Sequence, residues 1–130
     1  MKALLFAAGL GTRLKEHTKD KPKALVQLGG KPLLQHAIEY LKSYGIVHVV
    51  VNVFHFADQV IDFVHENQSF GIKIDFSDER GQLLDTGGGL KKAGHFLRGD
   101  EPILMYNVDI ITTLNLNEFL DYHIRQQALA

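Results

Sequence analysis

The chain has 130 residues, one domain's worth, and its 45% apolar and 22% charged content supports a buried core and argues against disorder. A net charge of −1, with no basic stripe interleaved with aromatics, excludes a long nucleic-acid footprint, so any cation that meets a ligand acts locally. The lack of cysteine excludes disulfide scaffolding, thiol catalysis and thiolate metal sites; with no membrane-length apolar run and too short a segment before Gly9 for a signal peptide, the expected setting is cytoplasmic and away from membranes.

The first predicted element is a strand over Ala3-Leu4-Leu5-Phe6, continuously apolar as a buried parallel strand is. It runs into Ala7-Ala8-Gly9-Leu10-Gly11-Thr12-Arg13-Leu14, a glycine loop placed where a parallel sheet ends and a backbone meets a ligand. Glycines at 9 and 11 let main-chain N–H groups approach an anion, Arg13 adds a planar multi-donor cation, and Lys23 behind Pro22 offers a second charge. That is the pattern of a phosphate site. Lys15 and Lys21 read equally well as added local potential or as solvated cations.

From Pro32 the spacing predicts a helix with Leu33, Leu34, Ala37, Ile38 and Leu41 on one face, ending near Gly45. Ile46 to Val53 reads as a second buried strand, Ala57 to Glu66 as a helix carrying Val60, Ile61 and Val64, and Ile72 to Phe76 as a third strand. A loop through 77–81 leads to the glycine cluster 87–89, where a helix is expected to begin and run to Leu97. Pro102 to Tyr106 is the fourth strand, and Leu116, Phe119, Leu120, His123 and Ile124 form the stripe of a last helix capped by Asn115 or Asn117.

Strands alternating with helices predict a parallel sheet with right-handed crossovers and a ligand crevice at the carboxyl ends of its strands. The glycine loop, the glycine cluster and Asp109 all follow strands, so one sheet edge can gather them. Asp109 is placed to reach a magnesium ion carried on substrate phosphates, or else serves as a turn aspartate. Asn52-Val53-Phe54-His55 reads as crevice wall or as a plain strand-end turn. The seven histidines fall in no ligand spacing, and no serine sits in a nucleophile elbow.

Gly9-Leu10-Gly11-Thr12-Arg13-Leu14, with Thr18 and Lys21-Pro22-Lys23-Ala24-Leu25, resembles the signature of the sugar-1-phosphate nucleotidylyltransferases. Leu84-Asp85-Thr86-Gly87-Gly88 and Met105-Tyr106-Asn107-Val108-Asp109 fit the same pattern. The resemblance implies a three-layer, Rossmann-like nucleotidyltransferase α/β fold with a mostly parallel sheet. Residues 1–130 would form a single nucleotide-binding domain, the N-terminal part of that fold, incomplete at its C-terminus.

The implied reaction is transfer of a nucleoside monophosphate from a nucleoside triphosphate to a sugar 1-phosphate, with Mg²⁺ and release of pyrophosphate. Ala8, Gly9, Gly11, Thr12 and Arg13 would hold the triphosphate, Arg13 and Lys23 would be the catalytic charges, and Thr86, Gly87 and Gly88 would meet the base. Asp109 would hold the metal, whose second family carboxylate has no match in the chain. The pattern looks most like enzymes that use UTP with N-acetylmuramate 1-phosphate or GTP with mannose 1-phosphate, although Gly89 stands where many members carry a larger residue. Two other classes compete: a nucleotide-binding or regulatory module without turnover, and a dinucleotide oxidoreductase, against which Leu14 replaces the third fingerprint glycine. An exposed sheet edge or apolar face would drive homo-oligomerisation.

Overall fold

A computed structural model describes the backbone of residues 1–130 and every side chain except those of residues 13–15. In chain order, β1 (Lys2–Phe6) leads through 3₁₀ turns at Thr12–Thr18 and Lys23–Leu25 to a hairpin of β2 (Gln27–Leu28) and β3 (Lys31–Pro32). Next come α1 (Leu33–Ser43), β4 (His48–Val53), α2 (Ala57–Glu66), β5 (Lys73–Asp78), α3 (Thr86–Ala93), β6 (Ile103–Asn107) and α4 (Leu116–Gln126). The long strands form one parallel sheet in the order β5-β4-β1-β6, with Leu4 in register with Val50 on one side and Met105 on the other.

Strand side chains alternate between faces, and here both faces are covered. Ala3, Leu5, Val49 and Val51 pack with Leu34, Ile38 and Leu41 of α1 and Val60 and Val64 of α2. Leu4 and Val50 meet Ala93 of α3 and Leu97 on the opposite face. The result is the expected three-layer arrangement, and the stripe read from α1 is its buried face. Asn115 caps α4 as expected, its side chain accepting from the amides of Asn117 at 3.1 Å and Glu118 at 3.4 Å. Among the described residues no helix is long and apolar enough to cross a membrane.

Three boundaries differ by two or more residues from the sequence reading, and one element is additional. The second strand starts at His48 instead of Ile46, and the third runs on to Asp78 because Ser77 and Asp78 stay in register with Asn52 and Val53. The helix expected to reach Leu97 stops at Ala93, after which the amides of Phe96 and Leu97 bond three residues back, to Ala93 and Gly94, in tighter turns. The β2–β3 hairpin was not foreseen; Gly29 (φ 59°) and Gly30 (φ 83°) supply its two left-handed turn positions.

Two glycines on the site side of this fold should respond oppositely to alanine. Gly11 sits at φ 64°, and a Cβ there would stand 2.8 Å from Thr18 Cγ2, whereas Gly87 opens α3 with nothing within 4 Å. Gly11→Ala is expected to cost about 2 kcal/mol through the left-handed backbone and the contact, and Gly87→Ala to gain about 0.5–1 kcal/mol of helix propensity. Thermal unfolding of both variants checks this; shifts of the same sign would show that Gly11 is not locked by its turn.

Candidate active site

The sheet order fixes where a ligand can bind. From β1 the chain crosses to β4 and then β5 on one side, and returns to β6 on the other, so the strand order reverses between β1 and β6, where an open parallel sheet offers a crevice at its carboxyl edge. The glycine loop leaves β1 there, and Val108-Asp109 leaves β6 there, joined by the Val108 amide donating to the Phe6 carbonyl at 3.1 Å. Lys23 comes up from the 3₁₀ turn behind Pro22. Its Nζ lies 2.9 Å from Asp109 Oδ2, a contact spanning 86 residues of sequence.

Two clefts flank that pair. One, of about 620 Å³, is lined among others by Gly11, Thr12, Gln27 and Asp109. The other, of about 230 Å³, is lined among others by Gly9, Asn52, Leu84, Asp85 and Thr86. Lys23 and Asn107 line both, so they form the divide between the clefts.

The loop that faces them is held from behind. Gly11 turns it through the left-handed region, and the Thr18 hydroxyl donates to the Gly11 carbonyl at 3.0 Å, which gives Thr18 of the sequence signature a role. Gly9 is not in that region; a Cβ there would stand 3.6 Å from Lys23 Nζ, so its glycine keeps open the space beside the ammonium. Ala8 lines the smaller cleft, but its amide is donated to Asn52 Oδ1 at 3.1 Å, so it contributes shape and no donor. The Arg13 side chain lies outside the described residues. Thr86 reaches the smaller cleft from the first turn of α3, whereas Gly88 serves packing, with Leu84 Cβ 3.0 Å from where its own Cβ would be.

Asp109 is held by its own turn. The Ile110 amide donates to the Asn107 carbonyl at 3.1 Å, and the Tyr106 hydroxyl donates to the Ile110 carbonyl at 2.6 Å. Burial pushes the Tyr106 phenol above its usual pKa, and neighbouring Tyr40 adds to this, so the hydroxyl stays a neutral donor.

Among the described residues no three His, Cys, Asp or Glu side chains converge, so there is no all-protein cage. The Asp109 carboxylate, 44% exposed and lining the larger cleft, fits Mg²⁺ in its usual protein setting, where one or two carboxylates share the ion with substrate phosphates.

The sequence reading missed Glu79. It lies in the stretch read as a connecting loop, yet it is wholly buried, with Oε1 accepting from Asn52 Nδ2 at 3.0 Å and Oε2 from the Leu84 amide at 3.0 Å. The cation beside it in sequence faces away: Arg80 pairs with Asp78 and Asp58, and its hydrogen bond holds the Asp78 carboxyl below the usual range. A polar Asn52 set among the valines 49–51 and 53 of β4 was the available signal.

The family described as nucleotidyl transferase matches residues 2–130. An N-acetylmuramate alpha-1-phosphate uridylyltransferase of Caulobacter vibrioides is 43% identical over 111 residues, 84% of this chain and 46% of that protein. A mannose-1-phosphate guanyltransferase of Gibberella zeae is 37% identical over 125 residues, 95% of this chain and 34% of that protein. Among solved structures, HddC from Yersinia pseudotuberculosis complexed with GMP-PN superposes with a TM-score of 0.84 at 32% identity, over 95% of this chain and 54% of that one. The chain therefore spans less than half of the length of these two curated relatives.

The Lys23–Asp109 pair is open to solvent on both sides, at 21% and 44% exposure, so it should add little to stability. A double-mutant unfolding cycle with Lys23→Ala and Asp109→Asn is expected to give a coupling of at most about 1 kcal/mol. A clearly larger value would mean that the pair is part of the scaffold and not poised for a ligand.

Proposed function

The chain belongs to the nucleotidyl transferase family, and on that premise we propose that it carries the nucleotide site of an enzyme transferring a nucleoside monophosphate from a nucleoside triphosphate to a sugar 1-phosphate. The observation that carries this reading is the placement of Lys23 on the divide between two clefts at the sheet's switch point, paired there with Asp109 of the larger cleft. In this reaction a phosphate oxygen of the sugar 1-phosphate attacks the α-phosphorus, the bond to pyrophosphate breaks, and no protein nucleophile takes part.

The smaller cleft would take the base and the larger one the sugar phosphate. Thr86 offers a hydroxyl that both donates and accepts, which suits either uracil or guanine, and the similar uridylyl- and guanylyltransferases support UTP or GTP as the donor. Gly9 to Thr12 and Arg13 would cradle the triphosphate. Lys23, facing both clefts, would balance the charge that grows on departing pyrophosphate. Mg²⁺, held by Asp109 and the phosphates, would supply charge neutralisation when bound.

Calorimetry on the chain tests the site. UTP or GTP should bind more tightly with Mg²⁺ than without it, and Asp109→Asn should remove most of that difference while changing folding stability by no more than about 1 kcal/mol. No binding by any nucleoside triphosphate would reject the reading; an undiminished Mg²⁺ effect in Asp109→Asn would reject the metal role.

The two cations should matter far more than a remote one. Arg13→Ala and Lys23→Ala are each expected to lower nucleotide affinity by about tenfold or more, the scale of a lost charge-assisted bond. Lys42→Ala serves as the comparison, because that side chain bonds the Phe70 carbonyl on another part of the surface and should change affinity little. Equal, small effects from all three would sink the assignment. On the whole protein, pyrophosphate release with N-acetylmuramate 1-phosphate and with mannose 1-phosphate tells the two sugar classes apart.

A further inference from the structure

Behind the smaller cleft a chain of buried hydrogen bonds links segments that lie far apart in sequence. The Ala7 and Ala8 amides donate to Asn52 Oδ1 at 2.6 and 3.1 Å, across 45 and 44 residues. Asn52 Nδ2 donates to Glu79 Oε1, and Glu79 Oε2 accepts the Leu84 amide, each at 3.0 Å. Asn52 is 2% exposed and Glu79 not at all, and no cation pairs with Glu79 among the described residues. One end of the chain is the start of the glycine loop; the other is the residue before Asp85-Thr86.

A third segment makes room for this arrangement. A Cβ on Gly89 would stand 3.0 Å from Glu79 Oε1 and 3.3 Å from both Asn52 Nδ2 and Phe6 Cε1. A buried polar network that is only partly satisfied costs more than an apolar core, so each of these bonds matters to the others.

We propose that Asn52 and Glu79 are positioning residues that lock the triphosphate-side loop and the base-side loop into one geometry, so that a nucleotide meets both halves of its site already aligned. This rests on the nucleotide reading of the crevice above. Neither side chain needs to touch the ligand. Glu79 acts through Leu84 on the approach to Thr86, and through Asn52 on Ala7 and Ala8.

The bond directions give a selective test. In Glu79→Gln the new NH₂ group must face either Asn52 Nδ2 or the Leu84 amide, donor against donor. In Asn52→Asp two carboxylates face each other. The double variant N52D/E79Q satisfies every partner again: the aspartate accepts from Ala7 and Ala8 and from the introduced NH₂, while the remaining amide oxygen accepts from Leu84.

Calorimetry with Mg²⁺ and UTP or GTP, and hydrogen exchange of the ligand-free chain, read this out. Each single variant is expected to lose about tenfold in nucleotide affinity and to show at least about tenfold faster exchange at the Ala7 and Ala8 amides, which Glu79 does not contact. N52D/E79Q should return both readings to within about threefold of the wild type, a difference under 1 kcal/mol. If Glu79→Gln fails to fold, the double variant alone decides by folding and binding.

Unchanged affinity in Glu79→Gln with only a lower melting temperature would reduce the network to a structural role and overturn the proposal. A double variant as impaired as the worse single one would show that the charge at position 79, not the bond pattern, is what matters, and would also overturn it. A wild-type chain that binds no nucleotide overturns the nucleotide reading instead, while the exchange measurement still decides whether the two loops are coupled.

Discussion

The site depends on β1 being hydrogen-bonded on both sides and covered on both faces. Ala3, Leu4 and Leu5 are fully buried, so the middle of this strand leaves no position for a polar group that works on a ligand. Chemistry must therefore come from the loop beyond its carboxyl end. Because β4 and β6 lie on opposite sides of β1, the strand order reverses at that point, and the clefts lie at these carboxyl ends. Glycine loop, Lys23 and Asp109 meet there for the same reason that the core is apolar: a parallel sheet wrapped in helices has only its carboxyl edge to offer.

The two carboxylates near that edge are handled in opposite ways. Asp109 keeps partial contact with water and pairs with a lysine, a combination that costs little to form and little to exchange for a ligand's charges. Glu79 is sealed off, with each oxygen committed to a donor, and exchange there would leave a buried polar group unsatisfied. One acid is therefore suited to change partners and the other to hold geometry. Distance from solvent, more than residue type, separates the two tasks.

Local pattern carried most of the fold. The apolar run of β1, the α1 stripe and the Asn115 cap each depend on neighbours within a few residues, and each stands where the spacing put it. The Gly29-Gly30 hairpin was equally local and was overlooked, because a two-residue strand carries almost no periodicity. Lys23 meeting Asp109, and Asn52 meeting Glu79, were not legible in the same sense. Those contacts require β4 and β5 to be paired in a register that sets Asn52 against Ser77, and β6 to sit beside β1. Sequence spacing alone states neither fact.

The opening of α3 shows how the site and the fold compete for the same residues. Three consecutive glycines in an eight-residue helix cost about 1.5–3 kcal/mol of propensity relative to alanine. Packing accounts for two of them: Gly88 yields to Leu84, and Gly89 yields to Glu79, Asn52 and Phe6. Gly87 answers to no neighbour, since a Cβ there would meet nothing within 4 Å. The fold therefore does not require a glycine at 87. It follows Thr86, which lines the smaller cleft on the side to which the nucleotide reading assigns the base, so its bare backbone adds no bulk next to that side.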